Sequence, residues 1–221
     1  ALEGSNLESE TEALAEFYES VRLRAAGIDN AEGKQRVITE LYEKFFRLAF
    51  PRSADALGIV YTPTEIVDFI LRSVNDLLVT EFGTTISAPG VHVLDPFTGT
   101  GTFITRLLAS GLIAPEDLAR KFTSELHANE ITLLAYYIAA ANIEATFHDL
   151  TASFAADAVA PASADPRAWV PFDGIVLADT FQMSEHEDVL DGLVFRTNSE
   201  RAERQLDLDI RVIVGNPPYS V

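Results

Sequence analysis

Cysteine is absent from all 221 residues, so disulfides, thiol nucleophiles and cysteine-based metal sites are excluded. Only four histidines occur (His92, His127, His148, His186), scattered without the close spacing of paired metal ligands, and no bound metal is expected. Methionine occurs once, at Met183, and residue 1 is alanine, so the expectation is an excised piece, or the ordered part, of a longer protein. No basic, apolar leader opens the chain. The longest apolar stretch, Ile131 to Ile143, is too short and too rich in alanine to span a bilayer. A cytoplasmic protein with no membrane partner is expected. Positive charge is scarce: 16 lysines and arginines face 34 acids, for a net charge of −18, and lysine is nearly absent. A protein gripping duplex DNA alone usually carries a basic face for the phosphates. If the substrate is DNA, most of the grip must come from parts outside this chain.

What is present suits a globular domain, with 48% hydrophobic and 23% charged residues. The length fits one domain with a helical extension. Residues 1–57 read as that extension. An acidic helix is expected from about Thr11 to Ala26. A second runs from about Ala31 to Phe50, with Val37, Ile38, Leu41, Tyr42, Phe45 and Phe46 on one face. Pro51 ends it, and Arg52 to Gly58 reads as a linker. In the second region, 58–221, Thr62 suits an N-cap, Pro63 the first helical position and Glu65 the far end of a capping box. The helix that follows carries Ile66, Val67, Ile70, Val74, Leu77 and Leu78 on one side.

From Val91 onward strands alternate with helices. Strands are expected at Val91–Asp95, Phe122–Leu126, within Asp173–Asp179, and at Ile210–Gly215. Helices are expected from Thr102 to a cap at Gly111, and from Asn129 to Phe147. Thr151 to Pro171 reads as loop, and Gln182 to Asp209 is a charged interruption. The alternation implies an α/β fold with a mainly parallel sheet and ligands at the carboxyl ends of its strands.

Asp95-Pro96-Phe97-Thr98-Gly99-Thr100-Gly101-Thr102-Phe103 follows the first strand. Its small residues let backbone approach a ligand, and the helix behind it aims free N–H groups at that ligand. A nicotinamide fingerprint would place a third glycine three positions after Gly101, which this chain lacks. Glu130, beyond the second strand, can accept both hydroxyls of a ribose, or can simply suit the first turn of a helix. Asp179, at the end of the third strand, could accept from an adenine amine with Phe181 packed on the ring. It could equally cap its own turn, and Asp149 is a rival.

The fourth strand ends in Asn216-Pro217-Pro218-Tyr219. An exocyclic amine on adenine is a poor nucleophile because its lone pair is delocalised into the ring. Two acceptors aimed at its hydrogens, the Asn216 amide oxygen and a prolyl carbonyl, favour a pyramidal nitrogen and stabilise charge as a methyl group arrives. The prolines fix φ and hold those acceptors rigid. Tyr219 supplies a ring on which a flipped base could stack.

With these residues in place the chain resembles the gamma class of N6-adenine DNA methyltransferases, in which cofactor motifs precede the catalytic one. The resemblance implies a Rossmann-like fold that binds S-adenosylmethionine. Tyr61, Thr62 and Pro63 would contact the methionine part, and Asp95, Pro96, Phe97, Thr98, Gly99, Gly101 and Phe103 would form the main cofactor motif. Glu130 would be the ribose acid, Asp179 and Phe181 the adenine contacts, and Asn216 to Tyr219 the catalytic motif. The run Leu41-Tyr42-Glu43-Lys44-Phe45-Phe46 together with Leu57-Gly58-Ile59-Val60-Tyr61-Thr62-Pro63 is similar to the single-chain type ISP restriction-modification enzymes. That implies a coupler-like N-terminal region, with nuclease, translocase and target-recognition domains as partners. The chain ends two residues after Tyr219, so the remaining family strands and the target-recognition domain are expected to be missing. The other readings are an N-methyltransferase acting on protein glutamine or on an RNA base, and a non-catalytic cofactor-binding coupling module.

Overall fold

The computed structural model describes residues 62–157, 169–181 and 196–218. All lie in Asp55–Val221, the second of two units of the chain. The helices expected before residue 51, and Tyr61 and Tyr219, lie outside the described residues.

Helix α1 (Thr64–Phe82) begins one residue later than its sequence suggests. Pro63 is extended (φ −54°, ψ 138°) and itself occupies the N-cap, so Thr62 stands too far out to cap and the expected box with Glu65 does not form. The Pro63 carbonyl instead accepts the Ile66 and Val67 N–H groups at 3.0 and 3.1 Å. Gly83, at φ +63°, ends the helix in the left-handed conformation that glycine adopts without strain. The buried face is Val67, Leu71 and Leu78, while Ile66 and Leu77, expected inside, are exposed. Asp68 pairs with Arg106 through two hydrogen bonds of 2.6 and 2.8 Å, fastening α1 to the next helix.

The sheet has four parallel strands in the order β3-β2-β1-β4, built from β1 (His92–Asp95), β2 (Leu126–Glu130), β3 (Ile175–Leu177) and β4 (Ile210–Ile213). Between them in sequence run α2 (Thr102–Ala109), the short α3 (Leu118–Arg120), α4 (Leu133–Asp157) and α5 (Arg196–Leu206). This is the α/β architecture the alternation implies. No helix among the described residues is long and apolar enough to cross a membrane.

The largest boundary differences from the sequence expectation lie in β2 and α4. β2 starts at Leu126, because Phe122 is drawn into a π-helical turn, Lys121–Glu125, that follows α3. There Phe122 stacks on Phe147 with ring centroids 3.9 Å apart and is tilted against Phe172. The same turn buries Lys121 completely. Its ammonium donates to the Ala88 and Val91 carbonyls and pairs with Glu125 at 2.8 Å. α4 begins at Leu133, since Asn129 and Glu130 are strand residues, and it continues ten residues past Phe147 to Asp157, through the first part of the expected loop. Part of the charged interruption is helix α5.

β3 is an edge strand, a position that ordinarily leaves backbone groups without partners. Asn198 of α5 covers it: its amide oxygen accepts the Leu177 N–H at 2.7 Å and its amide nitrogen donates to the Leu177 carbonyl at 2.9 Å. Gly174, just before β3, lies so close to β2 that a Cβ there would stand 2.1 Å from the Leu126 carbonyl oxygen and 2.9 Å from the Phe172 ring. Gly174→Ala is expected to lower stability by about 1–3 kcal/mol through forced displacement of the β2–β3 junction. Chemical denaturation checks this, and an unchanged midpoint would mean that the junction is looser than this geometry.

Candidate functional site

In this strand order the chain leaves β1 toward β2 on one side, whereas β4 joins β1 on the other. The carboxyl ends of β1 and β4 therefore lie where the strand order reverses, the place at which open α/β sheets bind ligands. Asp95 ends β1, Glu130 ends β2, Asp179 lies two residues beyond β3, and Asn216 lies three beyond β4. The structure thus brings four of the sequence-nominated residues to one edge of the sheet.

The loop after β1 is held by hydrogen bonds along its length. Thr98 donates its N–H to the Asn129 carbonyl and its hydroxyl to the Asp95 carbonyl, each at 2.9 Å. The Gly101 N–H reaches the Thr98 carbonyl, the Asn142 amide donates to the Thr100 carbonyl at 2.9 Å, and Thr180 donates to the Pro96 carbonyl at 2.6 Å. Gly99 (φ +56°) and Gly101 (φ +89°) are both left-handed, but for different ends. A Cβ on Gly99 would meet nothing within 4 Å, so that turn is open. A Cβ on Gly101 would lie 3.2 Å from the Ile143 side chain and 3.3 Å from Ala139 backbone, so its bareness lets α2 pack on α4. Phe103 is part of the hydrophobic core.

Asp95 is fully buried. Its Oδ1 accepts the Phe97 N–H at 3.1 Å, and its Oδ2 has no hydrogen-bond partner among the described residues. Burial pushes its carboxyl up to about 7, opposed by the Phe97 N–H and reinforced by the Glu130 charge. Glu130 is also raised by burial, with its hydrogen bonds acting the other way. Its Oε2 accepts the Gly99 N–H at 2.9 Å, and its Oε1 accepts both the N–H and the hydroxyl of Thr132 at 2.7 Å. Glu130 therefore joins the glycine loop to the entry of α4, and the Ile131 N–H also acts on its carboxylate.

The Asp179 carboxylate caps the Phe181 N–H at 3.0 Å, the turn geometry that its sequence also allowed. The exposed Phe181 ring lies 5.4 Å from that of Phe97, tilted by 37°, so the turn's aromatic residue packs on the loop after β1. Asp149, the rival acid, is exposed within α4 and is no strand-end residue. Thr62 is half-buried and Pro63 exposed ahead of α1; Asn216 is half-buried, with Pro217 and Pro218 exposed.

Asn142, Thr180 and Gly215 shape this site without having been nominated. Asn142 was discoverable as a lone amide in the apolar run of α4, but Thr180 carries no signal beyond its position in a turn. Gly215 stands directly against Asp95, where a Cβ would lie 2.7 Å from Oδ1.

No family model matches the chain, and no curated protein does. Solved structures do, among them these three. A nuclease-deletion mutant of the Type ISP restriction-modification enzyme LlaGI, in complex with a DNA substrate mimic, is 50% identical over 95% of this chain (TM-score 0.74). The ATP-dependent Type ISP restriction-modification enzyme LlaBIII bound to DNA is 51% identical over 96% (TM-score 0.76). A DrdV–DNA complex is 39% identical over 98% (TM-score 0.80). The chain spans only 16%, 14% and 19% of those chains respectively.

Proposed function

We propose, from this homology to Type ISP restriction-modification enzymes, that the chain is the cofactor-binding part of their methyltransferase. On this reading it holds S-adenosylmethionine and presents Asn216 to the N6 amine of adenine in DNA, while the target-recognition, nuclease and motor parts lie elsewhere in the same protein. The observation that carries the reading is the placement of Asp95, Glu130, Asp179 and Asn216 at the carboxyl ends of four adjacent parallel strands.

The residues present fit such a cofactor. Gly99 opens onto free space, the Glu130 carboxylate ends β2 against the Gly99 N–H where a ribose would lie, and Asp179 stands in the turn beside the packed Phe97 and Phe181 rings, an apolar face for an adenine. When bound, the cofactor supplies an electrophilic methyl group on a sulfonium centre. The protein does the rest by placement: the Asn216 amide oxygen and a prolyl carbonyl accept from the target amine. They interact most strongly as positive charge develops on its nitrogen. Residues 58–221 form the methyltransferase portion in this reading, with 1–57 as a coupler-like lead-in. The net charge of −18 assigns the phosphate grip to other parts of the protein.

Titration with S-adenosylhomocysteine, the demethylated product, tests this directly. Saturable one-to-one binding is expected, and Glu130→Ala should weaken it by about 1–3 kcal/mol through lost hydrogen bonds. Absence of binding by a folded sample would overturn the cofactor assignment, and undiminished affinity in the variant would move the ribose contact away from Glu130.

A further inference from the structure

We infer that Gly215 and Asp95 form a steric coupling that fixes where Asn216 stands relative to the cofactor loop, which makes both positioning residues for the segment that holds the methyl-accepting amine. The role of Asn216 rests on the proposed function; the coupling itself rests on geometry. The last rung between β4 and β1 is the Val214 N–H on the Leu94 carbonyl at 3.0 Å. The chain then leaves the sheet beside the carboxyl end of β1. Gly215, two residues past β4, would place a Cβ 2.7 Å from Asp95 Oδ1, 3.3 Å from Pro96 Cδ and 3.7 Å from Asp95 Cγ.

Gly215 is not among the glycines with positive φ, so alanine suits its backbone. Space alone demands glycine there. The opposing wall has little room to yield. Asp95 is fully buried and tied to the Phe97 N–H, its carbonyl is held by Thr98, and the Pro96 carbonyl is held by Thr180. A side chain at position 215 therefore displaces the more exposed partner, the Asn216-Pro217-Pro218 segment. The loop after β1 and the segment after β4 are thereby set directly against each other at Gly215, with no intervening side chain at that position.

The test is a double-mutant cycle of Gly215→Ala and Asp95→Ala in the full-length enzyme. Amide hydrogen exchange is read over residues 93–99 and 212–218, with and without S-adenosylhomocysteine. Gly215→Ala should accelerate exchange in 212–218, and in the Asp95→Ala background it should add much less, because the atom it overlaps most, Asp95 Oδ1, is gone and only the milder Pro96 Cδ contact at 3.3 Å remains. In the single variant, single-turnover methyl transfer should fall about tenfold or more while the product dissociation constant changes less than about threefold, as expected of a small displacement of the acceptor group. Independent, additive effects on exchange would overturn the coupling, as would a loss confined to cofactor affinity. If Gly215→Ala fails to fold, recovery of folding in the double variant supports the contact and continued failure overturns it. The exchange cycle decides the coupling even if the wild-type protein binds no cofactor, an outcome that would sink the proposed function alone.

Discussion

Asn216→Ala, made in the full-length enzyme, is expected to slow methyl transfer to adenine by about 10²–10³, equivalent to about 2.7–4 kcal/mol of transition-state stabilisation. Asn216 lies beyond β4, and the residues assigned to ribose and adenine, Glu130 and Asp179, follow β2 and β3 on the other side of β1. Cofactor affinity should therefore stay nearly unchanged. That separation is what identifies the role: an interaction made chiefly as charge develops on the amine lowers the rate constant without loosening the ground-state complex. The measurement is methyl incorporation into duplex DNA in a single turnover, with product analysis for N6-methyladenine. A variant with wild-type rate would remove Asn216 from the chemistry. Methylglutamine or a methylated RNA base as the wild-type product would leave the fold reading intact and overturn the substrate reading.

How much of this was legible in the sequence depended on whether a residue's partner lay nearby. β1 and β4 are short apolar runs that end in a motif, and both appear essentially where periodicity places them. β2 does not. Its sequence, Leu126-His127-Ala128-Asn129-Glu130, is largely polar, yet all five residues are buried. Several of their polar groups meet distant partners: the His127 ring meets His92 on β1, and the Asn129 carbonyl and Glu130 carboxylate accept the Thr98 and Gly99 N–H groups of the cofactor loop. The more apolar Phe122 was the better strand candidate on propensity, and tertiary packing against Phe147 overrode it. The extension of α4 through Ala152, Ser153 and Phe154 was read as loop from its composition. There the Thr151 hydroxyl turns back onto the Phe147 and His148 carbonyls, so a residue that often ends helices is absorbed into one. The glycines divide in the same way. Gly99 was legible as a turn, but the packing duties of Gly101, Gly174 and Gly215 depend on neighbours 38 to 120 positions away in the chain.

Two buried groups on this sheet should tilt the pH dependence of stability in opposite directions. The Asp95 carboxyl, ordinarily near 3.8, is raised to about 7 by burial, so between those values the folded state holds a proton that the unfolded state has released. Its contribution is fully present below 3.8 and is lost as pH rises through 7. His127 is shifted the other way, from 6.5 to about 4, by burial and then by His92 beside it, with Glu125 opposing. There the unfolded state binds the extra proton, so stability is present above 6.5 and lost as pH falls toward 4. From pH 5 to 6.5 the two slopes nearly cancel, at about 1.4 kcal/mol per pH unit each. Glu130, raised in the same sense as Asp95, leans the wild-type curve toward loss at higher pH. Asp95→Asn keeps an acceptor for the Phe97 N–H but cannot ionise, so relative to wild type its stability should climb with pH by about 2 kcal/mol across the window. His127→Gln should descend by a similar amount, so that the two curves diverge by about 4 kcal/mol. Denaturant titrations at closely spaced pH values measure both slopes. Because the signs are opposite, a common error in baseline or buffer cannot imitate the result, and two variants tilting the same way would show that one of these groups is not buried as the fold places it.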